Sequence, residues 1–375
     1  MATGFGEFLQ NLHTTPVQMT GASGQWSMRA NDTFRLLSVG SDFQQIHGTD
    51  SAAIFDEMGA QLRTDVGGGS QRFIGVFGEV DIFPIPDLEI LGSVRYQNFF
   101  NFDGIDTIVG GPVPNSSDNS VNPRLSLRYR VTSSFALRTA GYSSFRAPNL
   151  DNLYRAFSVP FGIFEPNSQL QPETLRGGEA GFDVNWGPLS GQVTGYVSHV
   201  TNLITSRDLD PDELPAGFFF GTRNINAGKA TANGFEAALN WSISDEWKAN
   251  FGYTYALSRI AQNPVDPASI GKQIAGIPMN YATWGLTYAD PRGWRASTRL
   301  RLVGKSWGDN DHTLPIGLNF VVDGYLAYSV TKSLEAFLEF QNLLNRRYVA
   351  DNSGFNPPLF GTPLSAFAGL RVKFN

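Results

Sequence analysis

The sequence predicts an all-β chain, and three observations lead to that prediction. Apolar and polar residues alternate with period 2, short and long connections alternate along the chain, and several tryptophans lie beside the short connections. The composition agrees, because 375 residues include 40 Gly, 29 Phe, 12 Tyr and 7 Trp. The chain contains no cysteine, which excludes disulfides, thiolate nucleophiles and zinc-thiolate sites.

The alternation recurs in about fifteen candidate strands, from VQMTGASGQWSMRA near the start to SAFAGLRVKFN at the end. In each strand one face is continuously apolar and the other is polar, as a wall between lipid and water requires. Apolar faces are Leu125, Leu127, Tyr129 and Val131; Trp294, Ala296, Thr298, Leu300 and Leu302; and Ala366, Ala368, Leu370, Val372 and Phe374. The opposite faces include Arg124, Arg128, Arg130, Arg295, Arg299, Arg301, Arg371 and Lys373.

The connections predict that successive strands are antiparallel. Tight turns are expected at 31–33, 84–87, 132–134, 187–191, 244–246, 290–293 and 331–333. Longer loops are expected at 48–70, 103–121, 147–171, 206–224, 259–276, 305–316 and 350–362, and the glycine-rich stretch DVGGGSQ lies within the first of them. Short turns on one side and long loops on the other predict a transmembrane antiparallel β-barrel of the outer-membrane type.

The tryptophans favour a membrane barrel over a soluble β-sandwich or propeller, which would also alternate. Trp186, Trp241, Trp247 and Trp294 lie near tight turns and would form one belt at one membrane interface. The alternative interpretation is that these large aromatic side chains simply brace strand ends. Counted from the turns, the first and last strands run in the same direction, so they cannot pair with each other in an antiparallel barrel. Either the count is wrong by one, or further strands lie upstream.

Four ordered segments resemble the C-terminal part of the TonB-dependent outer-membrane receptors, a family of 22-stranded transporters for iron chelates, cobalamin and related nutrients. The segments are SFRAPNLDNLYRAF, NSQLQPETLRGGEAGFDVNW, NGFEAALNW and FQNLLNRRYV, and the last strand resembles the family's assembly signal. Ser168 and the terminal Asn375 depart from the usual pattern. The matching positions are Arg146, Ala147, Pro148, Tyr154, Pro172, Glu173, Glu179, Gly181, Gly234, Glu236, Asn342, Tyr348 and Phe374.

The resemblance implies a signal peptide, a TonB box and an N-terminal plug domain, none of which is visible in this sequence. Residues 16–375 are therefore expected to be the C-terminal portion of such a barrel, with about 15 of 22 strands, and residues 1–15 the tail of a preceding strand or outer loop. The implied partners are outer-membrane lipid, the TonB complex through the plug, the barrel-assembly machinery through the last strand, and a small nutrient such as an iron chelate.

Other chemistry has little support in the sequence. The net charge of −6 and the lack of a basic block argue against nucleic acid. His13, His47, His199 and His312 show no metal-binding spacing, so neither a metal nor a cofactor is expected. The acidic stretches RDLDPDELP and GDNDH are interpreted as solvated loops rather than calcium sites. No residue pattern predicts catalysis, so no catalytic residue is assigned and the chain is not expected to be an enzyme.

The leading functional hypothesis is an outer-membrane receptor for TonB-energised uptake of a scarce nutrient, with a ferric siderophore favoured and cobalamin or another nutrient as alternatives. The inward arginines would attract an anionic ligand or face a plug, although a simple hydrated wall explains them as well. The alternatives are a passive diffusion barrel, a non-functional truncated receptor fragment, or a soluble all-β binding protein.

Overall fold

The computed structural model describes residues 9–159, 161–352 and 357–374, in which nearly all regular structure is β-strand. These residues form 23 strand segments, one short α-helix and one 3-10 turn. The strands are β1 Asn11–Thr14, β2 Val17–Met28, β3 Phe34–Phe55, β4 Gln61–Ile85, β5 Leu88–Asp106, β6 Gly111–Val113, β7 Ser116–Thr132, β8 Phe135–Arg146, β9 Phe157–Val159, β10 Gly162–Glu165, β11 Glu173–Trp186, β12 Leu189–Asp208, β13 Phe220–Ser242, β14 Trp247–Gln262, β15 Asn280–Ala289, β16 Trp294–Val303, β17 Ser306–Trp307, β18 Pro315–Ile316, β19 Asn319–Ser329, β20 Leu334–Gln341, β21 Val349–Asp351, β22 Leu359–Phe360 and β23 Ser365–Val372. Helix α1 is Leu150–Tyr154, and the 3-10 turn is Pro267–Ser269.

Fifteen of these strands form one antiparallel series in which each strand pairs with the next: β2 to β5, β7, β8, β11 to β16, β19, β20 and β23. This confirms the expected number of strands and their alternating direction. The short strand β1 pairs with the far end of β3, beside β2. No helix among the described residues is long and apolar enough to cross a bilayer.

The seven predicted tight turns are confirmed, and each connects two strands of the series at the same edge of the sheet. Their side chains explain why the chain reverses at these positions. Asn31 accepts hydrogen bonds from the backbone N–H groups of Thr33 and Phe34 at 2.9 and 2.7 Å. Gly187 and Gly293 have φ values of 58° and 96°, which glycine adopts at little steric cost.

The longer connections lie at the opposite edge, but the first of them is shorter than predicted. β3 and β4 continue to Phe55 and from Gln61, so the loop contains only residues 56–60 rather than 48–70. The stretch DVGGGSQ is therefore strand and not flexible loop. A Cβ on Gly69 would lie 2.7 Å from the Tyr154 ring. The glycines thus allow close packing of Tyr154, and the prediction that they form a flexible loop is wrong.

The pairing register gives the sheet two chemically different faces. Leu127 lies opposite Ile90 and Thr139, whereas the adjacent Arg128 lies opposite Glu89 and Arg138. The same parity continues through every hairpin to β23, where Ala368 lies opposite Leu338 and Glu335 lies opposite Arg371. The first set of residues forms the apolar face and the second forms the polar face. Large apolar side chains of the apolar face are exposed, including Leu125 at 54% and Trp186 at 73%.

The four predicted belt residues, Trp186, Trp241, Trp247 and Trp294, all lie on the apolar face at the edge with the tight turns. We call this set the tryptophan belt. The Trp247 and Tyr288 rings lie 4.8 Å apart, and the Trp294 and Tyr328 rings lie 4.7 Å apart. Exposed aromatic side chains arranged along one edge are typical of a membrane interface.

The sheet has two edge strands, β2 and β23. Within the described residues, β2 pairs only with β3 and β23 pairs only with β20. Because the series contains fifteen antiparallel strands, β2 and β23 run in the same direction. Every residue of β2 is exposed. The expectation that the first and last strands cannot close the sheet by pairing with each other is therefore confirmed.

Candidate functional site

The polar face carries ion pairs that connect neighbouring strands. Asp183 on β11 accepts hydrogen bonds from Arg138 Nε at 2.9 Å and Arg128 Nε at 3.3 Å. Arg95 on β5 binds both carboxylate oxygens of Asp42 on β3, at 2.7 and 2.8 Å. Each of these contacts spans strands, so ion pairs brace the polar face.

A second group of ion pairs lies on the final strands. The buried Glu335 contacts both Arg295 and Arg371, from the strands β16 and β23. Arg301 lies 3.3 Å from Asp323 on β19. Glu335 therefore connects the last hairpin to a strand further back in the series.

The six candidate arginines all share the polar face, but they differ in their partners. Arg130 is 3.8 Å from Asp87, and the partners of Arg128, Arg295 and Arg301 are given above. Arg124 and Arg299 have no ion-pair partner among residues 9–159, 161–352 and 357–374. Arg124 lines a cavity of about 180 Å³ together with Arg128, Arg138 and Glu179, and Arg299 lines one of about 380 Å³ with Arg301, Asp323 and Glu339.

The loop between β8 and β11 holds most of the first family-like segment and the start of the second, and it is firmly connected to the sheet. Arg146 forms a bidentate pair with the buried Glu173, with N–O distances of 2.6 and 2.7 Å. Glu173 also accepts a hydrogen bond from the Ile204 N–H at 2.9 Å. The two segments therefore meet across the start of the loop, and Ala147 lies directly after the pair.

The same loop packs down onto the strands through Pro148 and helix α1. The buried Gln71 donates from Nε2 to the Pro148 carbonyl and to Asn101 Oδ1, both at 2.8 Å. Asn149 caps α1 by accepting from the Asn152 N–H at 2.7 Å. Burial of these polar groups is compensated by hydrogen bonds, which favours one fixed loop position.

Tyr154 is the centre of a small apolar cluster at the long-loop edge. Its side chain is fully buried, and it packs with Leu153 and Leu170. The ring occupies space above Gly69 and Gly104, whose missing Cβ atoms allow the approach. Burial, with a smaller contribution from the nearby Asp103 charge, raises the pKa of the Tyr154 hydroxyl to about 12. Tyr154 therefore fastens the loop to β4 and β5.

Asp50 is the centre of a polar cluster beside this loop that sequence reasoning missed. Its carboxylate accepts hydrogen bonds from Thr15 at 2.7 Å and Arg155 at 2.8 Å, and it lies 3.0 Å from His13 Nδ1. Burial opposes ionisation, but these donors together lower the pKa of Asp50. The partners are 35 or more positions away in sequence, and they meet only when β1 pairs with β3 and the loop after α1 packs beside that pair.

The acidic loop between β12 and β13 is not simply solvated as predicted. Glu213 binds Arg207 through both oxygens, at 2.6 and 2.7 Å, and also contacts Arg223 at 3.2 Å. Arg223 in turn lies 2.7 Å from the buried Glu165 of β10. The hydrogen bonds from Arg207 are the main cause that lowers the pKa of Glu213 to about 2. The loop is thus cross-linked to the neighbouring loop.

The remaining family-like positions fall into recognisable structural environments. A Cβ on Gly181 or Gly234 would collide with a carbonyl oxygen of the neighbouring strand. The buried Asn342 donates from Nδ2 to the carbonyls of Arg346 and Thr362, both at 2.9 Å. The other positions lie as follows: Glu236 opposite Thr194 and Thr254, buried Pro172 directly before β11, Tyr348 against Gly361, and Phe374 exposed just after β23.

Comparison with known proteins gives a consistent result. The family model described as "TonB dependent receptor-like, beta-barrel" matches residues 2–343. A probable TonB-dependent siderophore receptor, PiuA of Acinetobacter baumannii, is 25% identical over 193 residues, which are 48% of this chain and 24% of that protein. The vitamin B12 transporter BtuB of Photobacterium profundum is 24% identical over 270 residues, covering 72% of this chain and 39% of the transporter.

Solved structures show the same fold. The siderophore receptor PiuA from Acinetobacter baumannii aligns with a TM-score of 0.76 at 15% identity, over 97% of this chain and 56% of that one. The ferric yersiniabactin receptor FyuA from Yersinia pestis aligns with a TM-score of 0.70 at 15% identity, over 98% and 56% of the two chains. The chain thus spans little more than half the length of these structures, and it matches less than half of the two curated relatives.

Proposed function

Because the chain belongs to the TonB-dependent receptor family, we propose that it forms part of the barrel wall of a receptor that imports a scarce nutrient across the outer membrane. The observation that carries the proposal is the two-faced sheet. Fifteen paired strands present exposed apolar side chains on one face and strand-bridging ion pairs on the other. Such a sheet separates lipid from water, and the proposed work is binding and gated transport rather than covalent chemistry.

The nutrient we propose is a ferric siderophore. Two relatives support this choice: the probable siderophore receptor PiuA of Acinetobacter baumannii and the ferrioxamine receptor of Yersinia enterocolitica. The second is 26% identical to this chain over 154 residues. The similarity to the vitamin B12 transporter makes cobalamin the second nutrient to test. We place the capture site at the long-loop edge, where the Glu213 and Asp50 clusters hold the loops in fixed positions.

The polar face is proposed to line the lumen, with Arg124, Arg128, Arg130, Arg295, Arg299 and Arg301 along its wall. Arg124 and Arg299 are the two of these six whose charges are not compensated by an ion pair within the described residues. A cation without a partner at a hydrated surface attracts an anionic group, either on the passing chelate or on a domain inside the barrel. We propose that the TonB complex acts through such a plug domain.

The last strand is proposed to direct assembly. β23 pairs along one edge with β20, and its other edge has no partner among the described residues. An exposed edge on a strand with strict alternation is a template for pairing with another strand, as assembly into a barrel requires. The barrel-insertion machinery is the proposed partner, with outer-membrane lipid around the finished wall.

The experiment that tests this function is an uptake assay in the source bacterium with the native gene deleted and then restored. Cells are supplied with a radiolabelled ferric siderophore, and separately with labelled cobalamin, with and without a functional TonB complex. We expect siderophore uptake that requires both the gene and TonB. Uptake that continues without TonB would instead indicate passive diffusion, and uptake of cobalamin alone would identify the other nutrient.

A further inference from the structure

A row of basic and polar side chains crosses the apolar face near the long-loop edge. The pairing register places Arg176 opposite His199, His199 opposite Thr231, and Thr231 opposite Arg259. These four residues come from the consecutive strands β11 to β14, and we call them the basic row. Neighbouring strands lie about 4.8 Å apart, so Arg176 and Arg259 are separated by roughly 14 Å along the row.

The basic residues of this row have no protein partner. Arg176, His199 and Arg259 are exposed, and none of them makes a side-chain hydrogen bond or ion pair within the described part of the chain. By contrast, most arginines of the polar face pair with a carboxylate. The apolar face offers the basic row no counterion, because no acidic residue occupies an outward position of β11 to β14 between the row and the tryptophan belt.

The distance between the basic row and the tryptophan belt matches the thickness of a membrane. Arg176 precedes Trp186 by 10 residues on β11, and Thr231 precedes Trp241 by 10 residues on β13. Ten residues of strand extend about 33 Å, which is roughly 25 Å across the membrane at a tilt of about 40°. That is the height of the apolar band of outer-membrane barrels. The basic row therefore lies at the interface opposite the tryptophan belt.

The surface between the two levels carries no charge and is mostly apolar, with Asn233 as an exception, and this pattern fixes the placement. The outward positions on β14, for example, are Phe251, Tyr253, Tyr255 and Leu257, and then the charge of Arg259 follows. The same strand tilt inclines the row, so that its members differ in depth by roughly 9 Å. A layer of lipid headgroups is deep enough to contact all of them.

From these observations we propose that the basic row binds the phosphate groups of lipid headgroups in the leaflet at the long-loop edge. Arginine presents a planar set of donors that suits phosphate oxygens, and two arginines flanking a histidine and a hydroxyl provide donors for more than one phosphate. Acyl chains of the same lipid would lie along the apolar band below. The site is on the outer surface of the wall and takes no part in nutrient capture.

This inference rests on the membrane placement proposed above but not on the proposed nutrient. The test uses the full chain, folded in a zwitterionic detergent, with phosphatidic acid as the probe and phosphatidylcholine as the reference lipid. Bound lipid is counted by native mass spectrometry. The R176Q/R259Q variant should bind phosphatidic acid roughly tenfold more weakly than the unchanged chain, since each cation near a lipid surface contributes appreciably.

The matched control is K305Q/R347Q, which removes two exposed cations from the long connections at the same edge, away from the apolar face. It should bind phosphatidic acid like the unchanged chain, and equal losses in the two variants would overturn the site. T231R adds a cation to the middle of the row and should tighten binding, so the test does not depend on a variant that folds poorly. A failure of T231R to tighten binding would also contradict the proposal.

Two further measurements complete the test. The first distinguishes lipid phosphate from free phosphate, and the second tests whether the chain inserts into a membrane. Inorganic phosphate at the same concentration should not displace phosphatidic acid, and full displacement would show a site for free phosphate instead of lipid. Insertion into phosphatidylcholine vesicles is scored by protection from protease. A chain that inserts but shows no preference for phosphatidic acid overturns the basic row alone, whereas a chain that does not insert contradicts the membrane placement as well.

Discussion

At the scale of single residues, several glycines are required because another backbone comes too close for a side chain. A Cβ on Gly234 would collide with the Tyr255 carbonyl and lie 2.9 Å from the Tyr196 hydroxyl oxygen. A Cβ on Gly141 would have no atom within 4 Å. We expect Gly234→Ala to lower the free energy of unfolding by roughly 1 to 3 kcal/mol, the usual range for overpacking.

Gly141→Ala is the control for this prediction and should leave stability nearly unchanged. Both variants are measured by urea unfolding of the folded chain in detergent, followed by tryptophan fluorescence. If both substitutions lowered the free energy of unfolding equally, the loss would come from replacing any strand glycine with alanine and not from the contact at Tyr255.

Glu213 gives a pH prediction at the same scale. Its pKa is lowered from 4.5 to about 2, chiefly by the Arg207 hydrogen bonds. A lowered pKa in the folded state contributes stability that is complete above the unfolded value and is lost progressively as pH falls to the folded value, and at about pH 3 the folded carboxylate is still mostly ionised. The loop 209–219 should therefore remain closed at about pH 3, and Glu213→Gln should open it at neutral pH too.

Limited digestion, with pepsin at about pH 3 and with proteinase K at neutral pH, measures this opening when the fragments are analysed by mass spectrometry. Asp212→Asn is the control, because Asp212 lies beside Glu213 and has no ion-pair partner among the described residues. Cleavage of the unchanged loop at either pH, at the rate of the Glu213→Gln variant, would contradict the importance of the ion pair.

At the scale of elements, the two faces of each strand should respond differently to the same substitution. Leu127 lies on the apolar face of β7, and the adjacent Ser126 lies on the polar face. We expect Leu127→Arg to cost roughly 2 to 4 kcal/mol if it lies near the bilayer midplane, because the charge enters lipid. Ser126→Arg should cost little, and the comparison is made by equilibrium unfolding in lipid vesicles. Equal costs would contradict the assignment of the faces.

The strands and turns of this fold could be predicted from sequence because their signals are local. Strict alternation defined the faces of β7, β16 and β23, and the short turns gave the strand direction. The prediction was wrong at DVGGGSQ, where the glycines indicated a loop although strand β4 continues through them. The sequence did not reveal the Asp50 cluster, because His13 meets Asp50 through the pairing of β1 with β3 and Arg155 joins them from the loop after α1. Local composition does not encode such contacts.

At the scale of the whole molecule, the direction of the edge strands limits how the sheet can close. β2 and β23 run in the same direction, so antiparallel closure needs an odd number of strands between them. About seven further strands would give the 22 of the large outer-membrane transporters. An even number would force two parallel neighbours into the wall, which barrels of this type do not contain.

This geometry predicts that the edge strands β2 and β23 of the 375-residue chain do not lie side by side. Disulfide cross-linking can test this, because the chain has no cysteine of its own that could react. A V193C/A237C variant joins two residues that are opposite each other on β12 and β13, at a distance that suits a disulfide. An A22C/A368C variant places cysteines at the outward positions of the two edge strands. After oxidation of the folded chain, the first variant should form an intramolecular disulfide and the second should not, as resolved on a non-reducing gel. An intramolecular bond in the second variant would mean that β2 and β23 lie side by side, and the requirement for an odd number of additional strands would then be wrong.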